Sequence, residues 1–265
     1  MEFLKIVKQR SFLNEVIYVA LNIGLAIALL VVIRVTGSML LAFALVLLSK
    51  WRVLAVRWRF WAANIQANLI SVIVDFSFVI FLYESSLTSA GSLQNSIFQA
   101  ILVVFYICWL LLLRPQSKRK YIVAQAGVAL FVGITALYTI SYSWVASPVV
   151  LLTWLLGYAT ARHVLSSYEE DHIILLSLAW GMVLAEMGWL AYHWTIAYRL
   201  PIVTNLLLPQ VSIIILCLGF LIYKAYDSFF HHSKVRLADI ILPLLFTISI
   251  VSVLVLAFNG ISSGI

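Results

Sequence analysis

The stretch HIILLSLAWGMVLAEMGWLAYHW, residues 172–194, decides how the chain is read. As an α-helix it would be about 34 Å long, enough to cross a hydrocarbon slab of ~30 Å. It carries one carboxylate, Glu186, about 21 Å from its start, near or past the middle of that slab. A second acid, Asp75, lies at about the same distance into another apolar segment that begins near Trp61. These are the two acids that apolar sequence holds on both sides. The fold expected is therefore an all-α polytopic transmembrane helix bundle.

Composition agrees. Hydrophobic residues make up 64% of the 265 residues, charged residues 10%, and the mean hydropathy is +1.09. Soluble domains carry about a quarter charged residues. The expectation is one integral membrane domain over 1–265, without room for a sizeable soluble one. The net charge of +7 implies no nucleic acid, because basic residues beside apolar spans set topology and meet anionic headgroups. Cys108 and Cys217 both sit in apolar stretches, which argues against a disulfide framework or a thiolate metal site. Lys5, Lys8 and Arg10 precede an apolar run too long for a cleaved signal, so a retained first span is expected.

Nine spans are expected, near 12–33, 35–49, 61–83, 96–113, 121–142, 148–165, 172–194, 202–223 and 237–258. The first two form a hairpin around Thr36-Gly37-Ser38. The second is short, and reaches the surface only if it runs on toward Trp51; the alternative is re-entrant. The linker KWRVLAVRWRFW at 50–61 interleaves Lys50, Arg52, Arg57 and Arg59 with tryptophans, as a segment in the headgroup region does. Lys118, Arg119 and Lys120 form a second headgroup-contacting run. With the N-terminus inside, all Lys and Arg except Arg34 and Arg199 fall on the cytoplasmic side. The expectation is N-in and C-out, in a cytoplasmic (inner) membrane. Pro209 is expected as a kink in the eighth span. Ser167-Tyr168-Glu169-Glu170 reads as a capping box before the seventh.

Three constellations could carry chemistry. In the third span Asn64, Asn68, Ser71 and Asp75 fall at i, i+4, i+7 and i+11, one face of a helix ending on a carboxylate. That face reads either as interhelical glue or as a hydrated half-channel leading to an ionisable site. In the seventh span Ser177, Gly181, Ala185 and Gly188 form a small-residue stripe, with Glu186 beside it and His193 seven residues on. Asp75 and Glu186 could share a proton or cation if their helices touch, with His193 as a water-linked relay or an interfacial belt residue. Last, His163, Glu169, Glu170 and His172, with Asp171, could gather a divalent metal, though helix capping explains the acids as well. No cofactor motif and no catalytic constellation is recognisable.

WRVLAVRWRFWAANIQANLIS (51–71) and LAEMGWLAYHW (184–194) resemble segments of uncharacterised multi-spanning membrane proteins of candidate-phylum bacteria. The resemblance implies membrane residence and carries over no activity. Three functions stay open: a proton- or ion-coupled carrier built on the mid-membrane acids, a non-enzymatic scaffold of an envelope complex, and a membrane-embedded enzyme on lipid substrates. The partners expected are the bilayer with its anionic headgroups, and membrane proteins or a second copy of the chain.

Overall fold

The structure, a computed structural model, describes residues 2–87, 93–194, 197–199 and 206–257, with backbone alone at 2–13, 52, 54, 199 and 257. Its helices are α1 (Glu2–Thr36), α2 (Met39–Ser49), α3 (Trp51–Leu54), α4 (Trp61–Leu87), α5 (Leu93–Cys108), α6 (Arg119–Ile140), α7 (Ala146–Leu165), α8 (Ile173–His193), α9 (Gln210–His232) and α10 (Leu237–Ala257). Eight of them are long and apolar enough to cross a membrane, and the chain is an all-α polytopic bundle. The exceptions are α3, a single turn, and α2, whose eleven residues reach about 16 Å, half a slab. A short antiparallel ribbon pairs β1 (Ala197–Arg199) with β2 (Leu207–Pro209).

The hairpin between α1 and α2 forms for a local reason. Gly37 takes a left-handed φ of 59° and its N–H closes α1 on Ile33 O at 2.9 Å. This is the helix-ending geometry that glycine permits without strain. Ser38 then accepts from Leu41 N and starts α2.

Side-chain hydrogen bonds mark the two ends of the bundle. At one end Gln66 meets Tyr158, Gln125 meets His163, and Tyr168 meets Asp227. At the other Arg34 donates to Gln99 and Gln99 to Ser85. The C-terminal ends of α1 and α4 thus lie together, so α2 and the 50–60 linker must carry the chain back across. Among the described residues, eight helices are long enough to span and α2 is a half-helix beside them. Exposed Arg57, Arg59, Lys118 and Lys120 fall at the Tyr158 end.

The core has two parts. Leu29, Ile33, Val46, Val79, Leu82 and Val103 pack α1, α2, α4 and α5 together; Ile134, Val149, Leu184 and Ile215 join α6 to α9. Ile73 touches both. The tightest contact is α7 on α8. A Cβ on Gly157 would meet Gly181 Cα at 3.1 Å, and one on Gly188 would meet Thr153 at 2.9 Å. Small residues let these backbones approach, as membrane helix pairs require.

Some expectations shift. The eighth span begins at Gln210 rather than 202, and Pro209 precedes it as the N-cap residue instead of kinking it. Proline lacks the N–H a helix interior needs, so the helix starts after it. Residues 200–205 and the end of the expected ninth span lie outside the described residues. The capping box does not form: Ser167 Oγ donates to Val164 O, Glu169 adopts φ 56°, and α8 starts at Ile173.

Two measurements check this frame. In a variant with Cys108 and Cys217 replaced by serine, cysteines at Ser38 and Ser143 should react with an impermeant thiol reagent from outside. Those at Ser117, Ser166 and Ser233 should react only after permeabilisation, and external labelling at Ser233 would break the topology. Separately, Gly157→Val should cost about 1–3 kcal/mol of stability through overpacking. Gly24→Val, with nothing within 4 Å of the added Cβ, should leave the thermal midpoint in detergent unchanged.

Candidate functional site

α4 carries the polar face from the linker end to its middle, and the structure shows what that face holds. The chain leaves α2 at Lys50, turns once through α3 and bends at 55–57. Breaking the helix frees backbone carbonyls, which a membrane interior cannot solvate. Asn64 Nδ2 donates to Val53 O at 2.8 Å and Trp61 Nε1 to Val56 O at 3.0 Å, satisfying two of them. Asn68 Nδ2 donates back to Asn64 O at 2.8 Å.

One helical turn on, Ser71 and Asp75 meet Lys50. Its ammonium donates to Ser71 Oγ at 2.7 Å and lies 2.6 Å from Asp75 Oδ2. The side chains are 7% and 1% exposed, so the ion pair is sealed at mid-helix depth. Lys50 is thus no headgroup contact: its stem runs into the bundle. It also sits at the C-terminal end of α2, where the unpaired carbonyls favour a cation. Arg52 lies outside the described side chains, while Arg57 and Arg59 are exposed as headgroup contacts require.

From α5, Tyr106 stacks on Phe78 at 4.0 Å and brings its hydroxyl against Asp75. Asp75 Oδ1, Tyr106 OH and Trp109 Nε1 are buried without a hydrogen-bond partner among the described residues. Buried polar atoms of that kind are rare. Tyr106 and Trp109 also line an apolar groove of about 490 Å³ between α4, α5 and α6. The end of α5 is a π-helical turn, Trp109–Leu113, with Arg114 N bonded to Trp109 O at 2.9 Å. Such turns recur at functional sites.

The other sequence candidates lie elsewhere. Ser177, Gly181 and Gly188 are buried against α7, as the stripe suggested. Glu186 is nine residues from Ser177, about 180° around the helix, and is exposed on the outer face of α8. It therefore shares no cavity with Asp75. His193 is also exposed, with its ring 4.8 Å from Trp189 and 5.4 Å from Tyr192, an interfacial aromatic cluster rather than a relay.

The four metal candidates do not converge. His163 Nε2 pairs with Gln125 Oε1 at 2.9 Å, while Gln125 Nε2 donates to Leu113 O at 2.7 Å and Gln116 O at 2.9 Å. That side chain caps the π-helical turn. Glu169 and His172 are exposed. Glu170 accepts from the Tyr226 hydroxyl, which holds its carboxyl below the usual range. This contact supports the fold above the carboxyl's unfolded pKa and is lost as pH falls through the folded one. No group of three metal-ligating side chains occurs among the described residues.

Sequence reading missed a clamp at the same end. Arg119 lies 4.1 Å over the Tyr168 ring, and the Tyr168 hydroxyl donates to Asp227 at 2.6 Å. Arg119 is thereby committed to the protein, whereas Lys118 and Lys120 stay exposed.

No family model, curated protein or solved structure matches this chain.

Removing one partner of a buried ion pair leaves the other charge uncompensated, at roughly 3–5 kcal/mol, while replacing both is often neutral. Lys50→Met and Asp75→Leu should therefore each lower the thermal midpoint in detergent, and the double variant should recover most of the loss. A double variant no better than the singles would show that the two groups are not energetically paired.

Proposed function

We propose that this multi-pass membrane protein is a proton- or cation-coupled carrier in which Asp75 is the exchanging group and Lys50 its tethered counter-charge. One observation carries this reading: a sealed Lys50–Asp75 pair, at half-membrane depth, where a half-helix stops. Interrupted helices place charged ends and free carbonyls at mid-membrane, the recurring construction of carrier ion sites. The Lys50 ammonium occupies the position that a small cation would take between the Asp75 carboxylate and the Ser71 hydroxyl.

Exchange then follows from charge balance. A proton or cation arriving at Asp75 neutralises the carboxylate, breaks the attraction to Lys50 and releases the ammonium toward the linker side. Departure of that ion restores the pair. Asn64 and Asn68, half-buried between the linker end and the pair, line the route. Tyr106, with its hydroxyl beside Asp75, can hold either protonation state of the carboxyl by turning its O–H.

The scaffold alternative makes the pair purely structural, and the double variant separates the two. Lys50→Met/Asp75→Leu should regain stability yet fail to dissipate imposed proton or sodium gradients in proteoliposomes, where the wild type does so. Asn68→Cys should also react with a soluble thiol reagent from the linker side. A wild type that dissipates neither gradient, or a double variant as active as the wild type, retires the carrier.

A further inference from the structure

A groove of about 480 Å³ lies between α6, α7, α8 and α9. Gly127 and Leu130 of α6 line it with Val164 of α7, Trp180 of α8 and Phe220 of α9. Along α6 it runs from Lys120 to Leu130, and along α9 from Tyr226 back to Leu216. Each stretch is ten residues of helix, about 15 Å, or half of a ~30 Å hydrocarbon slab. The groove is thus as deep as one leaflet and opens at the Tyr158 end of the bundle. Gly127 helps to hollow it. Glycine is disfavoured in helix interiors, and no close helix approach requires it here. A Cβ at Gly127 would meet Leu216 Cδ1 at 3.7 Å and nothing nearer.

The open end carries charge. Lys120 is exposed; among the described residues its ammonium lies 4.9 Å from the Tyr121 ring and makes no hydrogen bond or ion pair. The acids nearby are already held, Glu170 by the Tyr226 hydroxyl and Asp227 by that of Tyr168. Arg119 is stacked on Tyr168. By contrast, the groove between α4, α5 and α6, of like size, has no charged residue in its lining.

We infer that the groove beside Lys120 is a binding site for one anionic phospholipid, with an acyl chain along Gly127 and Trp180 and the phosphate on Lys120. Charge complementarity decides the occupant. An apolar groove open to a bilayer accepts a chain from any lipid, but only a headgroup of net negative charge gains from a lysine at its own level. Tyr223 and Tyr226 line the same end, the depth at which tyrosines meet headgroups. One chain fills the groove while the second stays in the bilayer on the open side. The inference is independent of the carrier reading, since no residue of this groove belongs to the Lys50–Asp75 site.

The test uses full-length protein delipidated in detergent and titrated with dioleoyl phosphatidylglycerol or dioleoyl phosphatidylcholine, with bound lipid read by native mass spectrometry. Phosphatidylglycerol should bind about fivefold more tightly, the gain expected from one lysine at a headgroup. Lys120→Gln should abolish that preference, whereas Lys118→Gln, outside the lining, should leave it intact. Gly127→Leu should loosen both lipids by filling the groove. Phosphatidylglycerol brominated on its chains should quench the fluorescence that Trp180→Phe removes, which places the chain without any change to the groove. Equal affinity for the two lipids, a preference that survives Lys120→Gln, or absence of quenching at Trp180 would overturn the site. So would tighter binding of oleate than of phosphatidylglycerol, which would make the occupant a free fatty acid.

Discussion

Everything in the first half of the bundle turns on a charge that cannot reach water. Moving an ammonium into a low-dielectric interior costs several kcal/mol, and attraction to a carboxylate offsets that only with good geometry and further hydrogen bonds. Lys50 has both, at 2.6 Å from Asp75 and 2.7 Å from Ser71. A lysine stem can as easily snorkel outward to the headgroups. The inward choice is what lets α2 end after eleven residues, and it fixes the register of α2 against α4. Asn64 then meets the carbonyl of Val53 that the break exposes.

This shows how far the chain could be read from its sequence. Apolar length specifies the bundle, because the bilayer imposes that requirement residue by residue. The stripe Asn64, Asn68, Ser71, Asp75 was equally legible, since a helical period is a local property. Its partner was not. Lys50 stands among Arg52, Arg57 and Arg59 and looks like a headgroup contact. Whether a lysine points inward depends on which helix lies beside it, a tertiary fact with no local signature. The same limit hid the clamp of Arg119, Tyr168 and Asp227, whose members come from three separate segments.

α8 makes the converse point. Its small-residue stripe was visible, and the stripe does what such residues do, seating α8 on α7 through Gly157, Gly181 and Gly188. Helical geometry alone then dictates that Glu186, nine residues from Ser177, points the opposite way. The two intramembrane acids, alike in depth, thus answer different problems. Asp75 is balanced within the chain, whereas Glu186 faces out of it. A single cavity holding both would need α8 rotated by half a turn, which would drive side chains into the contact that glycine keeps open.

The remaining step concerns which part of the bundle is free to move. The end bearing Tyr158 is cross-braced: Gln125 ties the π-helical turn to α7 through His163, and the Arg119 clamp ties α6 to α9. α7 and α8 are fused by backbone-to-backbone approach. The linker between α2 and α4 is held, among its described side chains, by the bonds from Asn64 and Trp61 and by the contacts of Lys50 with Asp75 and Ser71. Neutralising Asp75 therefore acts on a segment whose attachment depends on charge. A structural ion pair would more naturally sit where the packing is already rigid, since there its geometry would be fixed at no entropic cost. Its position where α2 ends and the linker begins is the physical reason to read it as a switch rather than a rivet.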